Sequence, residues 1–190
     1  MESVFTLPYT EFVVAEQLSR ALSKSEGYAV CIPLSRQQRG MDLLVHNLNT
    51  GKSATIQVKS SRAYVNRPKQ RELAGGPYDY HLWFNAFDAG SPTADFYALV
   101  GLFPSRRLSG RPLSRARRPG NWWQNVILIL PAARVRSLMR SIARQHEKFF
   151  YVSFDESLKR VALTRGAAKP HSWTELLLKK NVPELRRFVA

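Results

Sequence analysis

Only one cysteine, Cys31, occurs in 190 residues. An intramolecular disulfide is therefore excluded, and so is any zinc site built from several thiolates. The chain fits a reducing cytoplasm. Cys31 sits in the apolar run Tyr28-Ala29-Val30-Cys31-Ile32-Pro33 and is expected to be inert core packing. Histidine is scarce too: His46, His81, His146 and His171 show no metal-ligand spacing, so packing or surface roles are expected for all four. No segment approaches the roughly 20 apolar residues needed to span a bilayer. The start, Met1-Glu2-Ser3-Val4, lacks the basic-then-apolar pattern of a signal peptide. Gly-rich phosphate loops, a Ser-His-Asp set and cofactor fingerprints are likewise missing.

Acidic residues are few, 14 against 29 Lys and Arg, which leaves a net charge of +15. Such an excess predicts affinity for a polyanion, nucleic acid before an anionic membrane surface. The length suits one domain over 1–190, with a core at about 9–146 and a C-terminal α/β extension at about 147–190.

Hydrophobic periodicity places the elements. Val14, Ala15, Leu18 and Leu22 form a helical stripe, which predicts a helix over 9–25 with Thr10 as its N-cap and Gly27 closing it. Glu11 falls on that stripe. Glu16 lies on the other face, four residues before Arg20, as a solvated pair. Strands are predicted at 28–33, 41–47 and 54–60, the last two joined by a turn at Asn49-Thr50-Gly51-Lys52. Residues 61–78 read as a basic loop or short helix. Two more strands, 80–87 and 95–103, are expected to be joined by a turn around Asp88 to Pro92. Within them Trp83 and Phe84 are expected in the core. An Arg-rich loop follows, then a strand at 126–130, a basic amphipathic helix at 134–146, strands at 149–154 and 160–164, and short helices at 173–178 and 183–189. This order predicts an α/β sandwich with a mixed central sheet, the alternative being an α+β fold with the C-terminal strand pair set apart.

The chemistry concentrates around Met41-Asp42-Leu43-Leu44-Val45 and Ile56-Gln57-Val58-Lys59. Alternation along a strand sends Gln57 and Lys59 one way and Ile56 and Val58 the other. Asp42 and Glu11 are the candidate carboxylate ligands for a divalent metal. The Gln57 amide oxygen and the Val58 carbonyl are candidate neutral ligands. Lys59 is placed to orient a nucleophile or to stabilise charge on a reacting phosphate. Phosphate contacts are expected from Arg36, Arg39, Arg62, Arg67, Arg106, Arg107, Arg115, Arg117 and Arg118. Trp122 and Trp123 beside the Arg-rich loop either stack on unpaired bases or anchor the loop.

These segments, with Thr10-Glu11-Phe12 on the first helix and Gly27-Tyr28 entering the first strand, resemble the PD-(D/E)XK nuclease superfamily. The resemblance covers residues from about 11 to 61. It implies a restriction endonuclease-like three-layer sandwich, a mixed central β-sheet flanked by helices. It also implies Mg²⁺- or Mn²⁺-dependent cleavage of DNA, with Asp42 and Gln57 in the metal site, Lys59 catalytic and Glu11 the helix-borne acid. Met41 stands where the name-giving motif has proline, and Gln57 replaces an acid, which removes a negative charge from the site. The alternative expectation is a catalytically inactive nuclease-fold nucleic-acid binder. A third is an interaction protein whose positive face meets an acidic protein or membrane. RNA as substrate and a homodimeric assembly are left open.

Overall fold

The computed structural model describes residues 3–33, 40–66, 76–89, 94–104, 123–166 and 170–190, with side chains from residue 9 onward. Helix α1 (Ser3–Ala21) leads through a 3-10 turn at Lys24–Glu26 into strands β1 (Tyr28–Cys31), β2 (Leu43–Asn47) and β3 (Ser53–Val65). Strands β4 (Tyr80–Asn85), β5 (Phe96–Pro104) and β6 (Trp123–Pro131) follow. Then come helix α2 (Ala132–Arg144), strands β7 (Phe149–Phe154), β8 (Val161–Arg165) and β9 (His171–Ser172), and helix α3 (Leu178–Phe188).

One layer of the sheet runs β1-β2-β3-β5-β6, and the long strand β3 carries it into a second arm, β4-β7-β8-β9. Every pairing is antiparallel except β3 with β5. The first layer buries Leu43, Val45, Ile56, Val58, Ala98 and Ile127 against Val14 and Leu18 of α1 and Val182 and Leu185 of α3. Its other face buries Tyr97, Leu99 and Leu128. These meet Val135, Leu138 and Ile142 of α2 and the inward residues of the second arm, Tyr80, Leu82, Phe84, Phe150 and Val152.

The expected three-layer sandwich with a helix-flanked mixed sheet is therefore corrected. Among the described residues, nine strands in a mostly antiparallel sheet outweigh three helices, and strands rather than helices form most of the second covering layer. The reason lies just past Ser60. Arg62 and Tyr64 are exposed while Ala63 is half-buried, so β3 continues to Val65 where a loop was expected. Ala63 pairs with Leu82 and Val65 with Tyr80, which folds β4 back over the sheet. Strands β4 and β5 are not a hairpin: β4 pairs with β3 and β7, and β5 with β3 and β6. The strand pair β7-β8 is hydrogen-bonded to β4 rather than set apart. The C-terminal residues are woven into the first layer, where Asn47 Nδ2 and Thr50 Oγ1 donate to the Val189 carbonyl at 3.0 and 2.7 Å.

Smaller expectations also change. Helix α1 starts before Thr10, which lies buried inside it instead of capping it. Cys31 is an exposed free thiol, not core. Phe84 is buried as expected, but Trp83 is 45% exposed. The predicted Glu16–Arg20 pair forms, at 2.6 Å.

The two layers touch most closely at Gly101 of β5. A Cβ there would lie 2.2 Å from Leu82 Cδ2, and Leu82 is fully buried. Gly101→Ala is expected to destabilise the fold by about 1–3 kcal/mol, read by chemical denaturation. Leu82→Val shortens the opposing side chain, so the double variant should lose less than the sum of the two single losses.

His81 gives the arm an acid-sensitive point. Asn66 Nδ2 donates to the Tyr78 carbonyl at 3.1 Å, so its Oδ1 accepts from His81 Nδ1–H at 2.6 Å. Tyr64 on β3 and Tyr151 on β7 pack against the imidazole. Burial holds its pKa below the ordinary 6.5. The unfolded chain therefore takes up a proton as pH falls below 6.5 while the folded chain resists. The stability contribution is whole above that value and is lost as pH falls through the folded pKa. His81→Asn keeps an N–H donor and removes the titration. Its melting temperature should fall less than that of the wild type between about pH 7.5 and about pH 5.5.

Candidate functional site

The β2-β3 pair builds the site. Its register pairs Leu43 with Ile56 and Leu44 with Thr55. The paired register begins with Leu43 opposite Ile56, and Asp42 precedes it at a bend. Asp42 N–H donates to the Ile56 carbonyl at 3.0 Å. The ladder ends there, and the Asp42 carboxylate takes over: its Oδ2 accepts from Val58 N–H at 2.6 Å. That bond fixes the carboxylate and leaves Oδ1 for another partner. It also orients β3. Along a strand a residue's N–H and C=O turn to the same side, so the Val58 carbonyl faces the same edge as Asp42.

Gln57 and Lys59 project from the face opposite Ile56 and Val58, as alternation requires. In the parallel β3-β5 register they stand beside Tyr97 and Leu99. Lys59 Nζ lies 5.3 Å from the centre of the Phe87 ring, which itself packs on Tyr97 with centroids 5.5 Å apart. The ammonium thus rests on an aromatic floor beside the carboxylate strand, a cation–π contact that holds it without neutralising it. Asp42, Gln57 and Lys59 are all half-buried, so each stays partly open to solvent. Two residues back, Asp95 Oδ2 accepts from Thr55 N–H and Thr55 Oγ1, both at 2.8 Å. This clamp ties the start of β3 to the start of β5 and sets their register. Neither Phe87 nor Asp95 was picked out from sequence. Both lie next to the site only because β5 pairs with β3 across a long connection, and no local spacing signals that.

Glu11 is half-buried on α1, the helix that covers the Ile56 and Val58 face. Gln57 and Lys59 point the other way. Among the described residues no three His, Cys, Asp or Glu side chains gather as a metal cluster. Glu11 thus lies across β3 from the Gln57 and Lys59 side chains, and among the described residues a metal at Asp42 would draw on the Asp42 carboxylate with uncharged oxygens from Gln57 and Val58. That all-oxygen set suits a hard cation that keeps several waters, such as Mg²⁺, and suits soft metals poorly.

Arg62 is exposed on β3, three residues beyond Lys59. Arg36, Arg39, Arg67, Arg106, Arg107, Arg115, Arg117, Arg118 and Trp122 lie outside the described residues. Trp123 opens β6 with 61% of its surface exposed. Two histidines take the structural roles expected of them: His46 Nδ1 bonds Ser53 Oγ at 2.8 Å, and Trp173 Nε1 donates to His171 Nε2 at 2.9 Å. No described helix is long and apolar enough to cross a membrane. No protein-family model, curated protein or solved structure matches the chain.

Proposed function

We propose that the protein hydrolyses phosphodiester bonds in DNA with the help of a divalent metal, Mg²⁺ or Mn²⁺, held at Asp42. The observation that carries this reading is the juxtaposition at the end of β2. Asp42, just before β2, is fixed by the Val58 N–H in the middle of β3, and Val58 lies between Gln57 and Lys59 on that strand. The reading rests on this site and on the charge of the chain, not on the layered fold the sequence suggested.

Each residue has a definable task. Asp42 offers Oδ1 as the anionic ligand, because Oδ2 is committed to the backbone. Gln57 and the Val58 carbonyl add neutral oxygens. A bound divalent ion would neutralise phosphate oxygens and lower the pKa of a coordinated water. Lys59 Nζ, seated over Phe87, donates hydrogen bonds to a phosphoryl oxygen or to the attacking water and offsets the charge that grows in the transition state. The excess of 29 basic over 14 acidic residues supplies the long-range attraction for the polymer.

The test is cleavage of plasmid and oligonucleotide DNA with Mg²⁺ or Mn²⁺ by the wild type, Asp42→Asn and Lys59→Met. Cutting by the wild type alone supports the proposal, and equal rates in all three would remove it. A second reading, a nucleic-acid binder without catalysis, is favoured by one feature: Gln57 leaves the Asp42 carboxylate with no acid beside it on β3. That reading expects salt-sensitive binding and no cutting by any of the three proteins.

A further inference from the structure

The outer face of the β4-β7-β8 arm carries an aromatic surface that the hydrolytic reading does not use. Cross-strand register pairs Tyr64 with His81, Trp83 with Tyr151 and Asn85 with Phe149. The inward residues between them, Leu82, Phe84, Phe150 and Val152, fill the core, so these rings point outward by alternation. They form one connected patch. Ring centres are 6.4 Å apart for Tyr64 and Trp83, 5.7 Å for Trp83 and Phe149, and 5.5 Å for Phe149 and Tyr151. Tyr64 is 41% exposed and Trp83 45%.

The patch is cationic as well as aromatic. The Arg165 guanidinium lies over Phe149 at 4.3 Å and over Tyr151 at 5.5 Å, braced by Glu147 at 3.2 Å. Extending the β3-β4 register by one residue sets the exposed Arg62 opposite Trp83.

We propose that this face is a stacking platform for the unpaired bases of single-stranded nucleic acid. Two features favour that occupant. The outward positions named above are mostly rings, with a guanidinium group over two of them, and every base offers a π-face to such a surface. The chain's net charge of +15 complements a phosphate backbone. Moreover, Trp83 N–H donates to Ser61 Oγ at 2.9 Å, and Ser61 is two residues from Lys59 on β3. Tyr64 is five residues from Lys59 on the same strand, about 16 Å. By alternation Tyr64 lies on the face of β3 opposite to Lys59, so the platform and the proposed hydrolytic site are separate surfaces. The platform does not require that site to be active.

The experiment is fluorescence anisotropy of a labelled oligothymidylate of about 12 nucleotides, titrated with the full chain in EDTA so that no divalent metal takes part. A duplex of mixed sequence and similar length is the control. Trp83→Ala and Tyr64→Ala should each weaken single-strand binding by roughly 5- to 150-fold, with Trp83→Phe keeping most of it. Duplex binding should change much less. Both alanine changes are at exposed rings, and circular dichroism checks the fold. Unchanged single-strand affinity in the two alanine variants overturns the platform, as does no single-strand binding by the wild type or an equal loss on duplex. A change of oligomeric state in Trp83→Ala without loss of single-strand affinity would assign the face to a second copy of the chain and also overturn it.

Discussion

Lys59→Met is expected to slow DNA cleavage by about 100- to 1,000-fold at saturating metal, the scale seen when one preorganised donor to a developing charge is removed. Methionine keeps a similar length and an apolar stem that can still pack on Phe87. The fold and the β3-β5 register should therefore survive, and the loss should fall on kcat. Substrate affinity should change little, because a chain with 29 basic residues retains nearly all of its attraction for the polymer when one is removed. Metal affinity should hold or rise slightly, since a positive charge beside the site has gone. Single-turnover rates with a labelled oligonucleotide, alongside a binding titration, separate these effects. A variant as fast as the wild type would leave Lys59 as a cation resting on an aromatic ring and nothing more.

Asp42→Asn is expected to reduce metal-dependent cleavage by at least about 100-fold. The choice of asparagine follows from the hydrogen bond at this position. Asp42 Oδ2 accepts from Val58 N–H, and the amide oxygen of asparagine can do the same. Alanine would leave a strand-end N–H without its acceptor and confound structure with chemistry. Asparagine changes chiefly the charge, so a melting temperature close to wild type with activity lost would assign the effect to the missing carboxylate. Raising the Mn²⁺ concentration should restore part of the rate, because the remaining oxygens of Gln57 and Val58 still present a weak site. A variant that cuts at the wild-type rate would remove Asp42 from the chemistry.

The burial pattern of β3 was legible from local pattern alone. Period-two alternation separates Ile56 and Val58 from Gln57 and Lys59, and the turn near Gly51 sets Leu43 opposite Ile56. Helix α2 was legible through its apolar spacing, with Pro131 at its boundary. What failed was the long-range part. The basic Gly- and Pro-containing stretch after Ser61 hid the last five residues of β3, and with them the turn of the chain into a second arm. Trp83 seemed a core residue because it adjoins Phe84, yet two neighbours on a strand cannot both face inward, and Phe84 takes the inner side. Cys31 seemed buried in an apolar run, but β1 pairs only with β2, and a strand at the rim of a layer leaves apolar residues in solvent. The floor under Lys59 depends on a contact with Phe87, 28 positions away, that no periodicity encodes.

Titration of the wild type with Mn²⁺, followed by calorimetry in the absence of nucleic acid, tests the Asp42 site most directly. Saturable binding is expected in the wild type, lost in Asp42→Asn and tightened in Gln57→Glu, where a second strand-borne carboxylate restores the missing charge. Wild-type protein that takes up no ion, or an Asp42→Asn variant that binds it as well as the wild type, would contradict a metal-dependent site at the end of β2.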